Sequence, residues 1–246
     1  KDMEMKNNLD LGSDMKSEGL ADTMLMTKYR LLADDPLIPT NQLSLLWGLK
    51  IPTGSISEKD HGVRLPYSMQ LGSGTFDPTF GLLYQGSSSP WWWGTNFLYT
   101  GRFYDNKRDY HLGDEFRYDF YAMYQFRYDL VAEFQIGGRY IGNISGESDD
   151  SKRGTGHIMG NPKLPFMSPL WDTDTYGGYN TDLKLGFQWQ PWPLTILNLQ
   201  FNVPLYQHYR GLRMEEDFGV MVSFYIELPT KASRRSKAKA PVELGF

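Results

Sequence analysis

Cysteine is missing from all 246 residues, so the chain can form no disulfide, thiol nucleophile or thiolate metal site. That absence fits an oxidising envelope compartment. Long hydrophobic runs are missing too. No stretch approaches the ~18–20 apolar residues that a membrane-crossing helix needs, which excludes a helical membrane protein only. A large excess of one charge is missing as well: the net charge of −4 is too small to imply a nucleic-acid partner. The chain opens at Lys1 with no start Met, charged n-region or apolar h-region, so it reads as a processed or truncated chain.

What is present is aromatic and alternating. Aromatics make up 15% of the chain. In the stretch E-F-R-Y-D-F-Y-A-M-Y-Q-F-R-Y, Phe116, Tyr118, Phe120, Ala122, Tyr124, Phe126 and Tyr128 fall on one side. Glu115, Arg117, Asp119, Gln125 and Arg127 fall on the other. A period of two is the signature of a strand, whose side chains point to opposite faces in turn. A solid aromatic face backed by an ionic one suits a transmembrane barrel, where one face meets lipid and the other a wet lumen.

The same alternation predicts nine strands. One is centred on each of Leu25–Leu31, Leu43–Ile51, Phe80–Tyr84, Trp91–Phe103, Phe116–Tyr128, Leu130–Tyr140, Tyr179–Trp189, Leu197–Leu205 and Phe218–Leu228. The stub 1–6 also alternates and reads as the end of a tenth. Short turns are expected at 34–41, 86–90, 127–130 and 190–193. They alternate strictly with long links at 7–19, 52–75, 105–114, 143–178 and 207–217. An up-and-down outer-membrane barrel keeps that parity, with short periplasmic turns and long external loops. A lipocalin-like soluble barrel would reverse the faces, apolar inward. The expected fold is therefore all-β: an antiparallel up-and-down transmembrane β-barrel with about ten strands visible, and roughly ten to twelve in the complete protein. It would span residues 1–229, with 230–246 as a basic periplasmic tail.

Three stretches carry a resemblance: G-L-A-D-T-M-L-M-T-K-Y-R-L-L from Gly19, L-W-G-L-K-I-P-T-G from Leu46 and L-G-S-G-T-F-D-P-T-F-G from Leu71. P-L-Y-Q-H-Y-R-G-L from Pro204 adds to it. With them the chain resembles the bacterial outer-membrane transporter-like family labelled "MetA-pathway of phenol degradation". The resemblance implies an outer-membrane barrel acting as a transporter, with further strands before Gly19. The chain departs from the family pattern at its end, where a basic tail follows the last aromatic strand and Phe246 is terminal.

The face opposite the aromatics defines the candidate site. Lys28, Arg30, Lys50, Arg102, Glu115, Arg117, Asp119, Glu133, Arg139, Asp182, Lys184 and Gln200 are expected to line a lumen. Rings of charge there could set permeation, or cross-strand ion pairs could simply fill a narrow barrel. Trp47, Trp93, Phe97, Tyr99, Phe116, Tyr118, Phe120, Phe134, Leu183, Leu185, Phe187, Leu199, Phe201, Val222 and Phe224 should face lipid. Met24 and Met26 share the lumen face but have no nearby His, so they read as packing residues rather than copper ligands. His61, His111, His157 and His208 fall in or beside loops with no partnered Ser, which argues against an enzyme. The acidic runs at 147–150 and Asp172-x-Asp174 lack calcium-loop spacing. The long loop with Pro162, Pro165, Pro169 and Trp171 could fold inward as a constriction or stand outward as a docking surface. No cofactor, metal or nucleic acid is expected. The expected partners are the outer-membrane bilayer, a small, hydrophobic or aromatic solute, and a protein partner at the external loops. The alternative function is a plugged structural barrel that anchors such a partner.

Overall fold

A computed structural model describes residues 2–5, 15–36, 38–60, 63–148, 169–211 and 215–228. Its centre is a nine-stranded antiparallel meander. In chain order the strands are β3 (Thr23–Ala33), β4 (Asn41–Ile51), β7 (Asp77–Ser88), β8 (Trp91–Thr100), β10 (Glu115–Arg127), β11 (Leu130–Ile141), β13 (Gly178–Trp192), β14 (Thr195–Tyr209) and β15 (Gly219–Ile226). Each pairs with the next, so the predicted order and direction hold throughout. Links between neighbours are short at one end of the sheet and long at the other.

The stub is a correction. Strand β1 (Asp2–Met5) pairs with β2 (Met15–Glu18) in a separate hairpin and is not a tenth member of the sheet. Among the described residues the sheet is also open, with β3 and β15 as its edges. Its topology explains why. The first and ninth members of an antiparallel meander run in the same direction, so they cannot close on each other with antiparallel pairing.

Several strands outrun their expected ends. The β7–β8 turn shrinks to Ser89-Pro90, and β13 runs on to Trp192, so its turn is Pro193-Leu194, with Leu194 at φ 66°. Strand β14 extends to Tyr209. Proline accounts for the difference in β13: Pro191 lies inside the strand, in the register shift between Trp189 and Trp192, where it has no ladder partner.

The two faces differ as sharply as the sequence alternation. Along β4, Leu45, Trp47 and Leu49 are 37, 51 and 37% exposed, while Ser44 on the opposite face is 1% exposed. One register row runs Trp47–Phe80–Tyr99–Phe116–Tyr140–Tyr179 across six strands on the apolar face. Phe97 stacks on Phe116 at 6.3 Å and meets Phe120 edge-on at 5.7 Å. At the short-turn end, Tyr124 packs edge-on to Trp91 at 4.7 Å and to Phe126 at 4.8 Å. Such contacts add about 0.5–1.5 kcal/mol each beyond area burial.

Two of the long links and part of a third have structure of their own. Strands β5 (Lys59–Asp60) and β6 (Val63–Arg64) pair, as do β9 (Tyr110–His111) and β12 (Ser145–Gly146). Tyr67, Tyr110 and Ile144 form a buried cluster with Leu112 and Tyr176 against it. Trp171 is buried beside them and its indole Nε1 donates to Arg64 O at 3.1 Å. The described ends of the longest link thus fold into this cap and do not stand away from the sheet. Its middle, with Pro162, Pro165 and His157, lies outside the described residues, as do His61 and the tail 230–246.

At the opposite end, one side chain organises the β3–β4 turn. Asp34 Oδ1 accepts backbone N–H bonds from Asp35, Thr40 and Asn41 at 3.0, 2.9 and 3.0 Å. The Asn41 bond, with the Thr40 hydroxyl and the others, holds the Asp34 carboxyl well below the usual carboxylate range. A lowered folded pKa means stability that is present above the unfolded value and lost as pH falls through the folded one. Urea unfolding of wild type and Asp34→Asn should therefore differ at pH 6, with the gap narrowing below about pH 4. A gap independent of pH would show that the charge has no part in the turn.

Candidate functional site

Three of the sequence stretches with turn-like glycines meet in space at the long-link end. Asp22, just before β3, accepts from Gly54 N at 3.0 Å through Oδ1. Its Oδ2 accepts from Ser73 N at 2.8 Å and Ser73 Oγ at 3.0 Å. Gly54 and Gly72 make the approach possible. A Cβ on Gly54 would lie 2.7 Å from Leu71 O, and one on Gly72 would lie 2.6 Å from Gly54 O.

From this knot a ladder of alternating charge crosses the strand ends. Lys50 Nζ lies 3.4 Å from Asp22 Oδ2 and 2.8 Å from Asp77 Oδ2, its directly opposed residue on β7. Asp77 is fully buried and also takes Thr75 Oγ1 at 2.5 Å and Arg102 Nε at 3.3 Å. Arg102 donates to Gly113 O, and its Nη2 lies 3.7 Å from Glu115 Oε2. Glu115 is gripped from the other side by Arg139, whose Nε and Nη2 donate at 2.9 Å each, and by Arg117. A fork of two N–H bonds is the strongest form of such a pair. Tyr99 Oη and the Arg102 backbone N–H both donate to Asp114, at 2.6 and 2.8 Å, which fixes the link that carries Arg102.

Of the candidate lumen residues, this brings together Lys50, Arg102, Glu115, Arg117 and Arg139. Arg102 was expected within a strand but sits two residues past the end of β8. The others share the same face and are spread toward the short-turn end, because directly opposed residues lie on one side of a sheet. Lys28 donates to Gln85 at 3.3 Å and Arg30 to Pro36 O at 3.1 Å. Asp119 accepts from Gln135 at 2.6 Å, Glu133 from Gln188, and Asp182 from Asn180 at 2.8 Å. Lys184 and Gln200 lie opposite Gln135 and Gly186. The sequence reading missed Asp22 and Asp77. Both stand in the quoted stretches, A-D-T and F-D-P, where they look like strand-end punctuation.

The cap and this ladder together line an open cavity of about 880 Å³, with Lys50, Arg102, Glu115 and Arg139 in its wall. Behind the cavity, Arg64 is buried with its guanidinium 5.4 Å from the ring centroids of both Tyr67 and Tyr110. A desolvated cation on an aromatic face gains about 2 kcal/mol. Burial pushes the Tyr110 hydroxyl up, and the Arg64 charge opposes it. Burial likewise raises Tyr176.

Elsewhere the polar residues have local tasks. Asp172 Oδ1 accepts from Asp174 N at 3.0 Å and caps a short 3-10 turn over Thr173–Thr175. His111 Nδ1 lies 2.7 Å from Asp105 Oδ1. His208 lies opposite Tyr179 on the apolar face, and Met24 lies opposite Lys50 on the polar one. Among the described residues no group of three or more His, Asp and Glu could hold a metal ion.

Removing Asp77 tests the ladder. It would leave Lys50 and Arg102 half-partnered at a buried position, which costs about 3–5 kcal/mol. Asp77→Ala should lower the unfolding free energy by that amount, whereas Arg117→Ala, at the exposed end, should cost about 1 kcal/mol or less. Equal losses in denaturant titrations would contradict the ladder.

No curated protein matches the chain. A family model described as "Putative MetA-pathway of phenol degradation" matches residues 3–161, which include the Asp22 knot and the ladder from Lys50 to Arg139. The chain belongs to that family.

Proposed function

We propose that the chain is the greater part of an outer-membrane β-barrel that passes small solutes along its polar face. The observation that carries this reading is the exposed apolar face. Nine strands spaced ~4.8 Å apart make a sheet ~38 Å wide. Phe116 and Phe126 are ten residues apart on β10, which is ~34 Å of strand, or ~26 Å of height at a tilt of ~40°. That height matches the ~25 Å apolar band of an outer-membrane barrel. The face then covers roughly 1,000 Å², well above the ~300–600 Å² of the largest patch on a typical soluble monomer. Lipid is the solvent that such a face fits.

Closure follows from strand direction. An all-antiparallel barrel needs an odd number of further strands between β15 and β3. In this arrangement the long links and their cap stand at the external mouth, and the short turns face the periplasm. The reading is of a passage protein and not of an enzyme. One observation favours a structural role instead: the ladder at the long-link end is paired from Lys50 to Arg139. In that case the barrel is plugged and the cap is the anchor for a partner.

Two measurements decide between these readings. Discrete conductance steps in planar bilayers are expected of the closed protein, and a silent bilayer would favour the anchor. For the membrane orientation, Phe120→Arg places a cation at mid-height on the apolar face at a cost of about 2–4 kcal/mol, so it should reduce the membrane-assembled fraction. Asp119→Asn, on the polar face, should assemble as wild type. Normal assembly of Phe120→Arg would overturn the membrane reading.

A further inference from the structure

The charges in the cavity wall are not equally presented. The acids are sunk: the side chains of Asp77, Asp22 and Glu115 are 0, 6 and 8% exposed. Arg102 is as deep, at 8%, but the other two cations are more open, with Lys50 21% and Arg139 39% exposed. A guest would therefore meet a cationic surface, although the ladder itself is almost balanced. The opposite wall is apolar and aromatic, formed by Tyr67, Leu71, Leu112, Ile144 and Tyr176 from the cap. The Tyr176 hydroxyl is spent on Leu170 O, and the Tyr67 oxygen accepts from Ser148 N at 3.1 Å. The volume of about 880 Å³ lies within the range of sites that enclose drug-sized molecules.

We propose that this cavity is a binding site for small amphipathic monoanions, with a carboxylate on the open edge of the Arg139 guanidinium and a compact apolar body against the Tyr67–Leu112–Tyr176 wall. Arg139 holds Glu115 through Nε and Nη2, which leaves the rest of its fork to a second carboxylate. Lys50 keeps a donor beyond those spent on Asp22 and Asp77. An organic cation would find its counter-charges buried, and a neutral alcohol would gain the apolar wall and an accepted hydrogen bond but no opposite charge. The inference rests on the passage reading in one respect: it names the class of solute that pauses at the external mouth.

Calorimetric titration of the detergent-purified closed protein with benzoate, benzyl alcohol and benzylamine tests it. Benzoate should bind about tenfold more tightly than benzyl alcohol, as one charge-assisted hydrogen bond allows, and benzylamine most weakly. Arg139→Gln should bring benzoate down to the level of the alcohol. Leu112→Trp, which fills the apolar side, should abolish binding of both while the strand signal in circular dichroism is kept. Equal binding of the three probes, preference for benzylamine, benzoate binding that survives Leu112→Trp, or no binding would each overturn the site. Bilayer conductance separates the two readings. Binding without conductance removes passage and keeps the site, and conductance with no benzoate binding removes the site and keeps passage.

Discussion

The interaction on which the rest of the structure depends is the buried carboxylate of Asp77 between Lys50 and Arg102. A sheet with its apolar side turned outward cannot use a hydrophobic core to hold its strands at one end. Here the ends of five neighbouring strands are joined by charge instead: Lys50, Asp77, Arg102, Glu115 and Arg139 alternate in sign across β4 to β11. Each acid lies between cations and each cation reaches an acid, so no member carries an uncompensated buried charge. Register becomes expensive to change, because a slip of one residue would send these groups to the apolar side.

The same ladder builds the cap. Asp22 holds the start of β3 to the backbone at Gly54 and Ser73, which belong to the link between β4 and β7. Asn106 Nδ2 then donates to Ser73 O at 2.8 Å and ties in the next link. The long links are thus fixed at their roots by polar bonds and meet above the sheet through Tyr67, Tyr110, Ile144 and Trp171. Among the described residues the buried aromatic cluster lies in the links, and one face of the sheet carries a broad exposed apolar surface. A cavity with charge on one side and apolar side chains on the other follows from that layout.

How much of this the sequence determined can be argued from particular residues. Alternation along Phe116–Tyr128 fixed which side chains share a face, because a strand has only two faces and the two sets differ fully in polarity. Turn and link lengths fixed the up-and-down order, since a turn of a few residues can only return to a neighbouring antiparallel strand. The Lys50, Arg102, Glu115, Arg117 and Arg139 set was legible as a polar face for the same reason. The end of β13 was less legible at Pro191, where a register shift absorbs a residue type that normally stops a strand.

Only the tertiary structure decided what touches across the links. Asp22, Lys50 and Asp77 are separated by dozens of residues, and nothing local marks Asp22 and Asp77 as partners of one lysine. The cap was equally hidden, since two-residue strands such as β5 and β9 leave no periodicity to read, and their burial comes from partners far away in the chain. The separation of the stub from the sheet was of this kind too. Its alternation fits any two-stranded pairing, and the choice between β2 and the sheet edge lies in contacts that the stub's own residues do not encode. A period of two assigns a side chain to a face; which strand lies next to it is settled by the energy of packing in three dimensions.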